Sequence, residues 1–180
     1  MTKTDVKKDF VMPILVLTLI CLITSAILSY TNDVTAPIIE ETERLRAEAA
    51  RLEALPEADS FELMTLSGLP ETITEVYRAQ NGAGYVFMIT TDGYGGSGTM
   101  NLICGIDAKG RITMVNTLSH NETPGLGSKT TEDDFRNQFT GKDGTLEGVS
   151  AISGATVSSN YYINAVKDAF TAFEIAKEAE

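Results

Sequence analysis

Four residues near the end of the chain, Ser153-Gly154-Ala155-Thr156, combine hydroxyl groups with small side chains just before an apolar helical pattern. Small residues let a bulky anion approach the backbone, and the free amides and dipole of a helix N-terminus favour a phosphate. The same segment fits ordinary capping, in which Ser153 or Thr156 accepts hydrogen bonds from the first amides. Local chemistry alone favours capping over an anion site.

The segment His120–Lys129, HNETPGLGSK, lies between a predicted strand and a predicted helix. Its proline and two glycines impose an unusual backbone path, while Thr123 can donate a hydrogen bond and Leu126 can lie against a ring. His120 and Glu122 resemble an acid–base pair, but no third group is evident to orient them. Local chemistry slightly favours a structural loop over a ligand-binding loop, and we predict no catalytic residue.

The segment Gly93–Gly98, GYGGSG, formally matches the GxGxxG dinucleotide fingerprint. That fingerprint requires a strand before it and a helix after it. The residues that follow, TMNLICGI, predict a strand instead. We therefore predict a hairpin loop, whose glycines, Gly95 and Gly96 among them, can let the backbone approach a flat ring.

Strand-like runs separated by turn-rich connectors predict a series of strands beyond residue 70. The predicted strands are Thr72–Gln80, Tyr85–Thr91, Thr99–Asp107 and Arg111–Leu118. Their short spacing favours antiparallel pairing. A short helix near Thr131–Phe139 and a final helix from Thr156 to Ala176 follow. The predicted fold class is α+β, an antiparallel sheet with packed helices, preceded by one transmembrane helix.

Residues Phe10–Tyr30 form an uncharged apolar run. At about 1.5 Å per residue a helix of this length spans roughly 31 Å, which matches a bilayer core. A cleaved signal peptide, a lipoprotein and a buried core helix fit less well, because the run is long, has no convincing cleavage site and has an isoleucine before Cys21. Lys3, Lys7 and Lys8 before the run place the N-terminus in the cytoplasm and the rest outside the cell membrane.

The region between the span and the sheet is charged. We predict a connector at Asn32–Ala36 and a helix that begins at Pro37 and ends near Leu55, before Pro56. This helix is either a stalk or packed on its own domain. The predicted organisation is a cytoplasmic N-terminus (1–9), a transmembrane helix (10–30), a connector and stalk helix (31–58) and an extracytoplasmic domain (59–180).

Composition excludes several classes of function. The net charge of −11 argues against nucleic-acid binding, because phosphates would repel the chain. The two cysteines are far apart and there is one histidine, which gives little support to a disulfide framework, an iron–sulfur cluster or a zinc site. We predict no metal site.

Taken together, the Ser-Gly-Ala-Thr segment, the GYGG turn and the ETPGLG loop after His120 resemble the FMN-binding domain of membrane electron-transport complexes. The sequence is most similar to the G subunit of Rnf-type complexes, with the C subunit of the sodium-pumping NADH:quinone reductase as the more distant relative. The absence of tryptophan favours the Rnf relative. The resemblance extends over most of the chain.

The resemblance implies FMN, esterified through its phosphate to Thr156 by a separate flavin transferase that uses FAD and a divalent metal. It implies that the protein relays electrons in a membrane complex that passes them between ferredoxin and NAD and moves sodium or protons. The implied cofactor-binding residues are Thr156, Ser153, Gly154, Ala155, Thr123, Gly125, Leu126, Gly127, Gly95 and Gly96. The implied partners are the other subunits of the complex, the flavin transferase and the membrane.

One position departs from the family pattern. An aspartate usually stands six residues before the modified threonine, and this chain has Ser150 there. Serine can hydrogen-bond but supplies no charge for a metal or basic partner, so we expect an effect on the efficiency of flavin attachment. The alternative function is a non-redox accessory subunit with weak or no flavin binding.

Overall fold

A computed structural model describes residues 11–94 and 96–179 of the 180-residue chain. The chain divides after Ala47 into two compact units. The apolar run lies in the first unit, and all of the described strands lie in the second. The α+β fold class predicted from the sequence is confirmed.

Helix α1 comprises Met12–Ala54. Within its part Met12–Ala36, the most apolar window of 18 residues has a mean hydropathy of 2.4, and none of that window is buried inside the protein. This part is long and apolar enough to cross a membrane, as the sequence predicted. The predicted N-terminal segment 1–9 and Phe10 lie outside the described residues.

Threonine hydroxyls in α1 are satisfied by the helix itself. Each donates a hydrogen bond of 2.7 to 2.9 Å to the carbonyl four residues earlier, in the pairs Thr18–Ile14, Thr24–Ile20, Thr31–Ile27, Thr35–Thr31 and Thr42–Ile38. A hydroxyl bonded in this way needs no water, so these polar residues are compatible with an apolar surrounding.

The structure differs from the predicted connector at Asn32–Ala36, because α1 is continuous through these residues and through Pro37. Proline lacks an amide hydrogen and removes one helical hydrogen bond. Ending the helix and starting a second would leave several amides and carbonyls unpaired at both new ends and would require a second nucleation. The continuous helix therefore costs less than the interruption.

The second unit is built on five antiparallel strands in the order β1-β2-β3-β4-β5, each paired with its neighbours along the chain. They are β1 Phe61–Met64, β2 Ile73–Ala79, β3 Gly84–Gly93, β4 Gly96–Asp107 and β5 Ile112–His120. The four predicted strands are confirmed with small shifts at their ends, and β1 was not predicted. Gly93 pairs with Gly96, so the glycine-rich segment is a hairpin turn, as predicted.

Three helical segments follow the sheet: a 3-10 helix at Gly127–Thr131, helix α2 at Asp133–Arg136 and helix α3 at Thr156–Glu178. The helix predicted near Thr131–Phe139 is therefore shorter than expected. Helix α3 begins at the predicted residue, Thr156, and extends two residues past the predicted end.

Strand alternation gives the sheet two apolar faces. One face packs on α2 and α3 in a core that includes Phe87, Leu102, Ile106, Phe135, Phe139, Tyr162, Val166 and Ala169. The other face packs on the end of α1 and the turn after it, through Val86, Ile103, Ala54, Leu55 and Ala58. The two cores fix the sheet, and the first also fixes the position of α3.

The last turns of α1 are held on the sheet by close contacts. A Cβ at Gly105 would lie 2.1 Å from the Ala54 carbonyl oxygen, so only glycine allows this approach. The Thr113 hydroxyl donates a hydrogen bond to the same oxygen. The Arg51 guanidinium lies 4.2 Å from the centroid of the Tyr77 ring, in the range of a cation–π contact.

Candidate functional site

The start of α3 lacks a side-chain cap. Its N-cap residue is Ala155, which makes no capping hydrogen bond through its side chain, and the first turn carries no acidic residue. The prediction that Ser153 or Thr156 caps the helix is therefore wrong. Ser159 instead ties the segment together, because its hydroxyl accepts a hydrogen bond from Ile152 N–H at 3.1 Å and donates to Ala155 O at 2.9 Å.

Because the first amides of a helix have no partner within the helix, this uncapped start can receive an anion. Gly154 precedes it with a φ of 83°, a conformation that favours glycine and turns the chain into the helix. The sequence thus builds an uncapped helix start from small residues, with Thr156 as its first helical residue.

A cavity of about 360 Å³ lies at this helix start, between the β3–β4 hairpin and the loop after β5. Its lining residues are Tyr94, Glu122, Thr123, Leu126, Gly127, Gly154, Ala155, Thr156, Val157 and Ser158. Its volume falls in the usual range of small-molecule pockets, which combine apolar walls with a few polar groups.

Exposed apolar side chains line part of this cavity. Tyr94 is 74% exposed, Leu126 is 52% exposed and Val157 is 47% exposed. Large apolar side chains grouped at a concave surface commonly mark a binding site. They suit the face of a flat ring, whereas the helix start suits an anion.

Glu122 connects three segments that form the cavity. Its side chain is 5% exposed. Oε1 accepts a hydrogen bond from Tyr94 N–H at 3.1 Å, and Oε2 accepts one from the Ser158 hydroxyl at 2.5 Å. Hydrogen bonds to an ionised acceptor are stronger than neutral ones, so this carboxylate joins the hairpin turn, the loop after β5 and the first turn of α3.

Gly127 makes room for this carboxylate. A Cβ at Gly127 would lie 1.8 Å from Oε2 of Glu122 and 2.8 Å from the Ser158 hydroxyl oxygen. Any other residue would displace one of these groups. The glycine predicted as a cofactor contact therefore also permits the buried hydrogen bonds at the cavity wall.

His120 and Glu122 do not form the acid–base pair that their spacing resembles. The backbone N–H of Glu122 donates a hydrogen bond of 3.2 Å to His120 Nδ1, and the carboxylate bonds to Tyr94 and Ser158 instead. With Nδ1 as the acceptor, a neutral His120 carries its proton on Nε2. The pair therefore shapes the loop.

Internal hydrogen bonds order the loop after β5. Gly125 N–H donates to the Ser128 hydroxyl at 2.8 Å, and the buried Thr130 hydroxyl donates to Gly127 O at 2.7 Å. The N–H groups of Leu126 and Ser128 both bond to Thr123 O. Leu126 is thus presented at the cavity by a fixed turn.

Most of the predicted site residues meet at this cavity. Six line it: Thr123, Leu126, Gly127, Gly154, Ala155 and Thr156. Ser153 and Gly125 lie in adjoining turns and Gly96 is the first residue of β4, but none of the three lines the cavity; Gly95 lies outside the described residues. The sequence did not single out Val157 or Ser158, although both directly follow Thr156.

Ser150, at the position of the usual aspartate, is exposed on the segment that leads to α3. Its N–H and its hydroxyl donate hydrogen bonds of 3.0 and 3.3 Å to Gln138 Oε1.

Among the described residues, no group of three or more His, Cys, Asp and Glu side chains could hold a metal ion. The uncapped helix start and the exposed apolar side chains of the lining suit an organic ligand that combines a phosphate with an apolar ring.

Comparison with known proteins identifies such a ligand. The profile of the FMN-binding domain matches residues 93–171, which include both the hairpin turn and the start of α3. FMN combines a phosphate with a flat isoalloxazine ring, so the residues present fit it.

Curated relatives resemble nearly the whole chain. The G subunit of the Na(+)-translocating ferredoxin:NAD(+) oxidoreductase complex of Acetobacterium woodii is 34% identical over 81% of this chain and 82% of its own length. The proton-translocating counterpart of Clostridium ljungdahlii is 28% identical over 85% of each chain. The G subunit of the ion-translocating oxidoreductase complex of Methanosarcina acetivorans is 29% identical over 90% of this chain and 93% of its own.

Proposed function

Because this chain belongs to the family of G subunits of ion-translocating oxidoreductase complexes and contains an FMN-binding domain, we propose that it relays electrons through FMN attached covalently to Thr156. Its complex would be an ion-translocating ferredoxin:NAD oxidoreductase, the activity named for two relatives. FMN supplies one- and two-electron chemistry when bound, and the chain's residues hold and orient it.

One observation carries this proposal: Thr156 is the first residue of an uncapped helix and lines the same cavity as Thr123 and Leu126. The hydroxyl of Thr156 would carry the phosphate, and the first amides of α3 would donate hydrogen bonds to it. Leu126 and Val157 would contact the ring, and Thr123 would hydrogen-bond to it.

The small residues have supporting roles in this arrangement. Ser153, Gly154 and Ala155 would let the phosphate approach the backbone. Gly125 and Gly127 would set the path of the loop beside the ring, and Gly95 and Gly96 would border the ring. We propose no acid–base residue, because the relay moves electrons between redox groups.

Attachment would be carried out by a flavin transferase with FAD as the donor and a divalent metal. In this step the Thr156 oxygen replaces the AMP oxygen on the FMN phosphorus, AMP leaves, and the hydroxyl proton goes to solvent. The helix start holds the new phosphodiester. No electron changes hands in this step.

Mass analysis tests the attachment. The full chain would be produced with a flavin transferase, denatured, and examined for flavin fluorescence and for an FMN adduct on the Thr156 peptide. We expect Thr156→Ala to lose both signals. Thr171→Ala, which removes an exposed threonine about four turns further along the same helix, should retain them. An adduct of undiminished yield in Thr156→Ala would contradict covalent attachment at this residue.

The accessory alternative is tested on protein purified from its own host. Flavin that stays with the denatured chain supports the relay. Flavin released on denaturation would indicate noncovalent binding, and a colourless protein would favour the accessory role. Ser150 is the position that favours this alternative, because it lacks the charge of the usual aspartate.

We further propose that α1 anchors the chain with its N-terminus in the cytoplasm and the FMN-binding domain outside. The lysines before the span support this orientation. To test this, Lys109 on the exposed β4–β5 turn is replaced by cysteine in a Cys21→Ser background. This cysteine should react with an impermeant maleimide in intact cells in which the reagent can reach the outer side of the cell membrane. Reaction only after the membrane is permeabilised would reverse the orientation.

A further inference from the structure

Glu122 places a negative charge in the wall of the same cavity that would take the FMN phosphate. We propose that this carboxylate makes the cavity discriminate by charge: it admits the singly charged phosphodiester of attached FMN and disfavours the doubly charged phosphate of free FMN. The inference rests on the proposed function, because it assumes that flavin occupies this cavity.

The charges of the lining support this discrimination. Among the described residues that line the cavity, Glu122 is the only one with a side chain charged at neutral pH, and none is lysine or arginine. Phosphate sites commonly use arginine or lysine as charged donors. Here the described lining offers the phosphate no charged donor, only backbone amides and hydroxyl groups.

Glu122 also lies close to the helix start that would hold the phosphate. Its Oε2 is 2.5 Å from the Ser158 hydroxyl oxygen, and Ser158 is two residues after Thr156 in the first turn of α3. Two residues correspond to a rise of about 3 Å along a helix. The carboxylate and the phosphate would therefore share one helix N-terminus and its partial positive charge.

The carboxylate cannot easily move away. It is 5% exposed and accepts hydrogen bonds from two separate segments of the chain, at Tyr94 and Ser158. Buried charges are screened much less by salt than exposed ones. A second anion in the cavity would therefore experience its repulsion.

Attachment changes the charge that meets this carboxylate. A phosphate monoester such as that of free FMN carries about −1.5 to −2 at pH 7. Esterification to Thr156 converts it into a diester with a single negative charge, as in each phosphate of a nucleic-acid backbone. The covalent bond thus lowers the repulsion from Glu122 as well as retaining the flavin. Unattached FMN should bind weakly for its size.

The test uses the full chain in detergent, made in a host without flavin transferase. FMN and riboflavin are titrated separately, and binding is followed by the change in flavin fluorescence. Riboflavin has the same ring without a phosphate, so it reports on the cavity without the charge. With Glu122 present, FMN should bind no more tightly than riboflavin.

Glu122→Gln removes the charge and keeps the shape. Its amide can accept the hydrogen bond from Tyr94 N–H and donate one to the Ser158 oxygen. We expect FMN to bind about threefold to tenfold more tightly to this variant and riboflavin affinity to change by less than about twofold. Glu147→Gln, an exposed glutamate away from the cavity, changes the net charge equally and should leave both affinities unchanged.

Three results would overturn the inference. FMN could bind more than about tenfold tighter than riboflavin to the chain that keeps Glu122, a comparison that needs no variant. The Glu122→Gln variant could still bind riboflavin but show the same FMN affinity as the parent chain, or it could show the same fold-change in affinity for FMN and for riboflavin. Finally, if neither flavin binds any of these chains, the inference is wrong, because the cavity then takes up no flavin whose charge Glu122 could select. The proposed function is decided separately, by the FMN adduct on the Thr156 peptide.

Discussion

Substitution of Gly127 by alanine tests the packing of the cavity wall with one added methyl group. The new Cβ would lie 1.8 Å from Oε2 of Glu122 and 2.8 Å from both its Cδ and the Ser158 oxygen. These are far below contact distance, so the carboxylate must leave its position. It would then lose the hydrogen bonds from Tyr94 N–H and from the Ser158 hydroxyl.

The size of the effect follows from those two bonds. A hydrogen bond to a charged group contributes about 1.5–3 kcal/mol to stability, and part of this loss is regained if the displaced carboxylate reaches water. Alanine also restricts the unfolded chain, which offsets about 0.5 kcal/mol. We therefore expect Gly127→Ala to lower the free energy of unfolding by about 2–4 kcal/mol, a large part of the stability of a typical domain.

The assay is urea unfolding of the full chain in detergent, followed by tyrosine fluorescence, because the chain has six tyrosines and no tryptophan. The matched control is the same substitution in a Glu122→Ala background, where the carboxylate is already absent. There the added methyl group should cost less than about 1 kcal/mol. An equal cost of Gly127→Ala in both backgrounds would refute the reasoning.

Three further predictions concern other parts of the second unit. Burial raises the pKa of the Cys104 thiol from 9.0 to about 12, which lowers its thiolate population about a thousandfold below that of an ordinary thiol. In a Cys21→Ser chain at pH 8, this thiol should therefore react with a disulfide reagent only after unfolding. Hydrogen bonds from the Thr145 hydroxyl and amide lower the pKa of Asp143 below 3.8. The stabilisation by Asp143 is therefore present above that pH and lost as the pH falls through the lower folded pKa, so the Tm difference between the parent and Asp143→Asn should shrink at low pH. Finally, Ser150→Asp should raise the initial rate of FMN attachment without lowering Tm, because the side chain is exposed; an unchanged rate would show that the charge has no role in attachment.

Local patterns were sufficient to predict most of the sheet. Strands β2 to β5 are rich in apolar, β-branched and aromatic residues and are separated by turns that contain glycine, and both signals act over a few residues. Strand β1 has four residues and no fully buried side chain, so it carries no such pattern. Its existence depends on pairing with β2, which only the folded chain provides.

Helix α1 shows a different error, a predicted interruption of the helix that the structure does not contain. Pro37 was interpreted as a helix start because proline is common at that position. The energetic comparison that decides the outcome involves the whole helix, in which one missing hydrogen bond weighs less than two additional ends. A rule that considers one residue and its neighbours cannot make this comparison.

The structure brings the predicted site residues together most directly where the motif is contiguous. Gly154, Ala155 and Thr156 lie together in sequence and at the cavity. The role of Glu122 was not predictable from spacing, because its partners Tyr94 and Ser158 lie 28 and 36 residues away. Only the packing of α3 against the sheet brings these groups together.

The order of the strands has a consequence for folding. Each strand pairs with the next strand along the chain, so forming the sheet closes only short loops, which is typical of fast assembly. The docking of α3 is different, since its Asp168 accepts a hydrogen bond from Thr72, 96 residues earlier. The cavity needs this long-range step, because α3 supplies one of its walls. Flavin held in the cavity would therefore report on the last stage of folding, and a chain stalled with a finished sheet would remain without it.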